Sequence, residues 1–194
     1  RTAAPFVRLP RFEGVIARTP PRLGPPPDTA SDGTHGAAVA FPAAYPDVLC
    51  YGFYINITPN QLVSFKTAAP GVVLTNLPAP GVSGDFVTGA DFLRSNLNTL
   101  YGITFASGLF FSINTADAST NIIALVPPPA GQNWTGMAAS PDGMLYVCST
   151  DVSVSHLYTI NPVNGALNFI GVIGNCPCSI DIAVNANGEM YAVD

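Results

Sequence analysis

Apolar residues along this chain fall in short runs separated by turn residues, and no stretch sustains a helical period. The runs recur as words. TLYGIT, MLYVCS and EMYAVD carry Tyr101, Tyr146 and Tyr191, each 45 positions after the last. A second word recurs as LVSFK (62–66), FFSIN (110–114) and LYTIN (157–161). A third precedes each tyrosine: TGADFL from Thr88, TGMAAS from Thr135 and SIDIAV from Ser179, with GAAVAF from Gly36 as an earlier copy. A further apolar run follows the second word, as VVLTNL (72–77), IIALV (122–126) and ALNFIG (166–171). In chain order these are four strands, a, b, c and d, in a unit of about 47 residues. The connecting words SPDG (140–143), NPVNG (161–165) and NANG (185–188) supply the Asp-Gly and Asn-Gly pairs whose positive φ tight hairpins need. Strands a and b are apolar on both faces, with small residues in a, as expected of inner strands held between neighbouring sheets.

A four-stranded unit of this length, repeated, predicts an all-β fold built as a small β-propeller of about four blades. The stretch LYTINPVNGALNFIG followed by IDIAVNANGEMYAVD resembles the LYxIdpxTGxxxxIG…GxAxxpxGxLYaVd pattern of the broad YVTN- and NHL-like propeller families, and the likeness covers residues 36–194. The copy over residues 36–77 is the most degenerate, with Tyr51-Gly52 matching Tyr101-Gly102 and Cys50 in place of Leu100. The resemblance implies a fold and not an activity, since such families host enzymes, receptors, scaffolds and adhesins.

The strand count is uneven. Three sets of a to d are followed by a and b alone. VRLPRFEGVIAR (7–18) aligns without gaps on YTINPVNGALNF (158–169), placing Leu9 on Ile160, Gly14 on Gly165, and Val15 and Ile16 on Ala166 and Leu167. We therefore expect a hairpin over about residues 6–18 that completes the last blade, because long bare strand edges are avoided. It acts within its own chain, closing a ring, or on the next subunit, building a filament head to tail. A piece of a longer propeller is the third alternative. The domain reading is an N-terminal arm over 1–34, ending in the Pro-rich linker TPPRLGPPPDTASDGT (19–34), and a repeat domain over 35–194. The chain opens on Arg with nothing resembling a signal peptide, which reads as a mature product or a fragment.

Composition narrows the setting. Charged residues make up 10% of the chain against 48% hydrophobic ones, well below the usual quarter or so of charged positions. So uncharged a surface suits an extracellular or cell-surface assembly. The net charge of −5 is unevenly spread. Arg1, Arg8, Arg11, Arg18 and Arg22 face only Glu13 within residues 1–22, a net +4, while Lys66 and Arg94 face eleven acids in the rest, a net −9. The arginines alternate with Pro, Phe, Val and Leu rather than clustering, so the arm is read as docking on an acidic body, its own or a neighbour's, and not on nucleic acid. No run of 18 apolar residues exists, and no membrane-spanning helix is expected.

Candidate chemistry is sparse. His35 precedes the first a strand and His156 opens the third c strand; neither belongs to a G-x-S-x-G, H-E-x-x-H, P-loop or Rossmann pattern. No catalytic residue is assigned and the chain is not expected to be an enzyme. Asp91 and Asp181 lie in a strands, and counting back from the tyrosines puts Asp91, Gly136 and Asp181 in one register. Together they are weak candidates for a channel Ca²⁺, with solvated acids as the plainer alternative. The even cysteine count, Cys50, Cys148, Cys176 and Cys178, suggests disulfides in an exported protein; ring closure would bring Cys50 to Cys176 or Cys178. Cys148 also reads as a small buried hydrophobe, and Cys176-Pro177-Cys178 alone is a weak zinc signal. Glycosylation sequons occur at Asn56 and Asn133. Trp134, the one tryptophan, is read as core packing, with stacking on a ligand as the alternative. The function expected is a non-enzymatic structural or assembly protein, a filament subunit joined to copies of itself by Arg8, Leu9, Arg11, Val15, Ile16 and Arg18 of the arm. The alternatives are a propeller module binding a glycan or protein, and a propeller-type hydrolase or lyase.

Overall fold

The computed structural model describes residues 47–55, 60–79, 84–93 and 96–194, and no helix occurs among them. The strands follow the sequence words. Strands β1 (Leu49–Tyr54), β2 (Gln61–Lys66) and β3 (Thr75–Pro78) form one antiparallel sheet in chain order. Strands β4 (Val87–Phe92), β5 (Thr99–Thr104), β6 (Leu109–Asn114) and β7 (Thr120–Leu125) form a second, and β8 (Asn133–Ala139), β9 (Leu145–Thr150), β10 (Ser155–Ile160) and β11 (Leu167–Val172) a third, each four-stranded. Strands β12 (Asp181–Val184) and β13 (Met190–Val193) pair with each other alone among the described residues. The a strand anticipated near Gly36 and the hairpin anticipated over residues 6–18 lie outside the described residues. The first d strand starts three residues later than its apolar run, at Thr75, because residues 72–74 stand outside the ladder.

The repeat fixes register as well as order. The b-strand tyrosines sit opposite a hydroxyl residue of the c strand each time: Tyr51 opposite Ser64, Tyr101 opposite Ser112 and Tyr146 opposite Thr159. Gly143, Gly165 and Gly188 close the predicted turns with φ of 91°, 72° and 81°, where a Cβ would be strained.

Alternation along the strands gives the second and third sheets one face toward the next sheet in the chain and one toward the previous sheet. Leu100, Phe111 and Ile113 of the second sheet pack with Leu62 of the first. Ile103 and Phe110, on its opposite face, pack with Trp134, Leu145, Val147 and Ile160 of the third. Cys148 and Ala138, facing the other way from those, pack with Ile182 of β12. Trp134 is fully buried and its indole N–H donates to the Val126 carbonyl at 2.8 Å, so it is a core residue, as the sequence suggested. Its ring meets Tyr158 edge-on at 5.5 Å.

The inner strands β4, β8 and β12 approach one another through glycine. A Cβ on Gly89 would lie 2.5 Å from the Met137 amide nitrogen, and one on Gly136 would lie 2.8 Å from the Asp181 Cα. Just before each glycine the ladder slips, at Thr88 and Thr135. The freed threonine hydroxyls reach across: Thr88 donates to the Thr135 carbonyl at 3.2 Å, and Thr135 to the Ser179 carbonyl at 2.6 Å. The bulge thus aims a hydroxyl at the neighbouring strand while the glycine lets the backbones close.

A Gly136→Ala substitution should therefore destabilise the fold by about 1–3 kcal/mol, the usual cost of overpacking a close contact. Gly174→Ala, where nothing lies within 4 Å and φ is ordinary, should change stability by less than about 0.5 kcal/mol. Denaturant melts of the two variants check this; equal effects would show that the inner strands are not in close contact.

Candidate functional site

The acids of the inner strands occupy different registers. Asp91 pairs opposite Tyr101, but Gly136 and Asp181 pair opposite Cys148 and Val193. The residues opposite the later tyrosines are Ala138 and Ala183. Counting back from the tyrosines fails because seven residues, 93–99, separate the paired Phe92 and Leu100, two more than the five between Ala139 and Leu145 or between Val184 and Met190. Both Asp91 oxygens are engaged: Oδ1 accepts from the Phe92 amide at 2.7 Å and Oδ2 from the Ala139 amide at 2.7 Å. The carboxylate thereby ties β4 to the end of β8. Asp181 accepts from the Ile182 amide at 2.8 Å. Its partial burial, and then the nearby Asp91 charge, push its carboxyl above the usual range. Among the described residues no three His, Cys, Asp or Glu side chains gather as metal ligands, so Asp91 and Asp181 stand without a third.

A groove of about 390 Å³ lies between β1 and β4, lined by Tyr51, Phe53, Ile55, Thr88, Asp91 and Phe92. Tyr51 meets Phe92 edge-on at 5.5 Å across it. Its apolar rings with the Tyr51 and Thr88 hydroxyls and one carboxylate suit a small, mostly uncharged ligand.

Two side chains missed in the sequence clip the b–c hairpins. Asp85 accepts four hydrogen bonds: from the Phe86, Ala106 and Ser107 amides at 2.9, 2.9 and 2.8 Å and from the Ser107 hydroxyl at 2.6 Å. Partial burial raises this carboxyl, but the hydroxyl and the amides together outweigh it and bring it down to about 2. Gln132, 47 residues on, does the same in the third sheet. It accepts from Ser149 at 2.5 Å, meets His156 Nδ1 at 3.0 Å and donates to the Val154 carbonyl at 3.4 Å. His156 also meets Tyr158 and Phe169 edge-on at 6.3 and 5.5 Å. Ser149 is fully buried with its hydroxyl committed to Gln132, so it is no nucleophile. The shared offset before each a strand was the available signal, hidden by the change from Asp to Gln.

All four cysteines are free thiols, so none of the anticipated disulfides is formed. Cys148 is fully buried, as its strand position suggested, beside the Thr135 hydroxyl at 3.4 Å and the Ser179 hydroxyl at 3.8 Å, and burial pushes its thiol up. The Cys176-Pro177-Cys178 loop is held by hydroxyls instead: Thr150 and Ser155 both donate to the Pro177 carbonyl, at 2.9 and 2.8 Å, and Ser155 accepts from the Ser179 amide at 2.8 Å. Asn133 opens β8 half-buried, with the sequon hydroxyl of Thr135 already committed to Ser179. His35, Asn56 and the arm residues Arg8, Leu9, Arg11, Val15, Ile16 and Arg18 lie outside the described residues.

No protein-family model and no curated protein matches the sequence. Among solved structures, the chain is similar to a proposed 6-phosphogluconolactonase from Bacteroides uniformis ATCC 8492, at 18% identity and a TM-score of 0.49. The match covers 73% of this chain and 43% of that one, so this chain spans less than half of that protein's length.

Two carboxyls give opposite pH signatures. Asp85 is depressed in the fold, so its contribution is present above about pH 4 and is lost as pH falls toward 2. Asp85→Asn should cost about 1–2 kcal/mol at pH 7, allowing for solvent screening, and markedly less near pH 2.5. Asp181 is raised, so its contribution is fully present below about pH 4 and is lost as pH rises through its folded value. Asp181→Asn should then gain a few tenths of a kcal/mol at pH 7 and nothing near pH 3. Chemical denaturation across pH checks both signs.

Proposed function

We propose that this protein is a non-enzymatic structural subunit, a β-propeller-type repeat protein of the cell exterior whose copies assemble by strand complementation. The observation that carries this reading is the outer edge of β13, which has no partner strand among the described residues, whereas its counterparts β5 and β9 are flanked by β6 and β10. Tyr191 and Val193 are 53% and 55% exposed there, and Tyr101 and Tyr146 are half-buried. A free edge is a template for another strand. The segment 7–18 reads as the missing hairpin because it aligns on the β10–β11 hairpin, with Gly14 at the position of the left-handed Gly165.

Charge favours the same union. Residues 1–22 of the arm are net +4, and among the described residues Lys66 is the lone Lys or Arg against nine acids. Lys66 is itself paired with Asp47 at 2.8 Å. The polar side chains that chemistry would need serve structural bonds: Asp85 clips a turn, Asp91 ties two strands and His156 meets Gln132. The sparse charge of the chain supports an exterior setting.

The groove between β1 and β4 favours a second reading, a module that binds a glycan or another small neutral ligand against Tyr51 and Phe92.

Light scattering and negative-stain microscopy of the full chain, with and without residues 1–24, separate the two. The assembly reading expects polymers that the deletion disperses into folded single subunits. A compact 20.1 kDa particle that the deletion unfolds would place the arm in its own chain and leave ligand binding as the role.

A further inference from the structure

A row of polar side chains crosses the strands of each larger sheet on the face that carries the b-strand tyrosine. Tyr51, Ser64 and Thr75 stand side by side in the first sheet, Tyr101, Ser112 and Asn121 in the second, and Tyr146, Thr159 and Asn168 in the third. Two positions farther along the c strand stand Lys66, Asn114 and Asn161 in turn. In the first sheet the row is closed on itself. The Ser64 and Thr75 hydroxyls share a hydrogen bond at 2.7 Å, and Lys66 is paired with Asp47 at 2.8 Å. In the second sheet it is open. Thr99 sits opposite Asn114 and Ser112 opposite Asn121, so these four are neighbours on one face, at the ends of β5, β6 and β7. With Ser119 and Thr120 they line a hollow of about 270 Å³. The third sheet covers this face where Tyr101, Ile103 and Phe110 stand, so the hollow is a margin that the packing of two described sheets leaves uncovered.

We infer that this hollow binds a neutral carbohydrate. Among the described residues the side chains of Thr99, Ser112 and Asn121 make no hydrogen bond to protein, so each is open to donate and to accept. Asn114 Oδ1 accepts from the Ala116 amide at 2.9 Å, which leaves its NH₂ group to donate. The Thr120 hydroxyl donates to the Ala118 carbonyl at 3.1 Å, which leaves its oxygen to accept. Donors and acceptors therefore alternate over a small area with no charge among them. Hydroxyls on adjacent carbons of a sugar ring match that demand, since each both donates and accepts, and a side-chain amide can bridge two of them. An anion would meet no counter-charge there and would face the Asp117 carboxylate, which the Ser119 hydroxyl and amide hold beside the hollow. An apolar ligand would leave the hydroxyls and amides unpaired. The third sheet keeps Thr159, Asn161 and Asn168, but Met144 stands at the position of Thr99, so its copy of the row lacks one hydroxyl. This site is separate from the groove between β1 and β4, and it does not depend on the assembly role proposed above.

Saturation-transfer NMR on the full chain tests this, because it observes the ligand and works whether or not the subunits assemble. The probes are cellotriose, maltotriose and chitotriose, with trigalacturonate as the charged counterpart. Transfer is expected to at least one neutral trisaccharide and not to trigalacturonate. Asn121→Ala and Ser112→Ala should each weaken that binding by about fivefold to tenfold, the loss of one hydrogen bond, with β-sheet circular dichroism unchanged. Thr99→Met, which copies the third sheet, should weaken it similarly and serves should either alanine variant lose its fold. No transfer to any neutral trisaccharide would overturn the site, as would equal transfer to trigalacturonate or binding that survives these substitutions in folded chains. Binding lost through Phe92→Leu but kept in Asn121→Ala would seat the carbohydrate in the groove between β1 and β4 instead, and would likewise overturn this assignment.

Discussion

Side chains on facing strands normally hold two packed sheets about 10 Å apart. Here the inner strands come closer, because Gly89 meets the backbone of Gly136 and Met137, and Gly136 meets Asp181 and Ile182. This approach sets the spacing of everything outside it. It brings the Thr88 and Thr135 hydroxyls within reach of the next strand's carbonyls and lets the Asp91 carboxylate take the Ala139 amide. Away from these glycines, Trp134 at the start of β8 and Phe110 and Phe111 on β6 are fully buried. Small residues at the close approaches and buried rings elsewhere fill the space between sheets, and the uncharged interior leaves few side chains free for chemistry.

The same construction explains where polar groups went. With few charges available, the links between adjacent sheets and the turn clips are, beside the Asp85 and Asp91 carboxylates, hydroxyls, amides and one thiol: Thr135, Cys148, Ser155 and Ser179 along one junction, Gln132 and Ser149 at a hairpin. Every buried polar side-chain atom among the described residues finds a partner. A satisfied network of this kind specifies a unique arrangement of sheets without ion pairs. The Cys176–Cys178 loop belongs to that network through Pro177, which accounts for its position without a disulfide.

Strand order and turn positions were legible in the sequence because the a-to-d words and the Asp-Gly and Asn-Gly pairs are local signals, and the b–c register was legible because Tyr101 and Ser112 keep their partners in the later copy. The register of Asp91 was not, since a connection two residues longer between β4 and β5 breaks a count made along the chain. Nor were the bulges at Thr88 and Thr135, which depend on the neighbouring sheet rather than on local preference. Asp85 and Gln132 perform one task with two chemistries, so word matching passed over both. The disulfide expectation failed on location: Cys148 is sealed between sheets and shares its pocket with hydroxyls.

Hydrogen exchange at β13, followed over a range of protein concentrations, tests the central claim most directly. Val193 accepts from Ile180 through its carbonyl, and alternation turns the Met190 and Ala192 amides to the outer edge. If a neighbouring chain completes this sheet, those two amides gain protection as concentration rises, approaching the amides of β9, and lose it when residues 1–24 are removed. Fast exchange at Met190 and Ala192 at every concentration would contradict strand complementation.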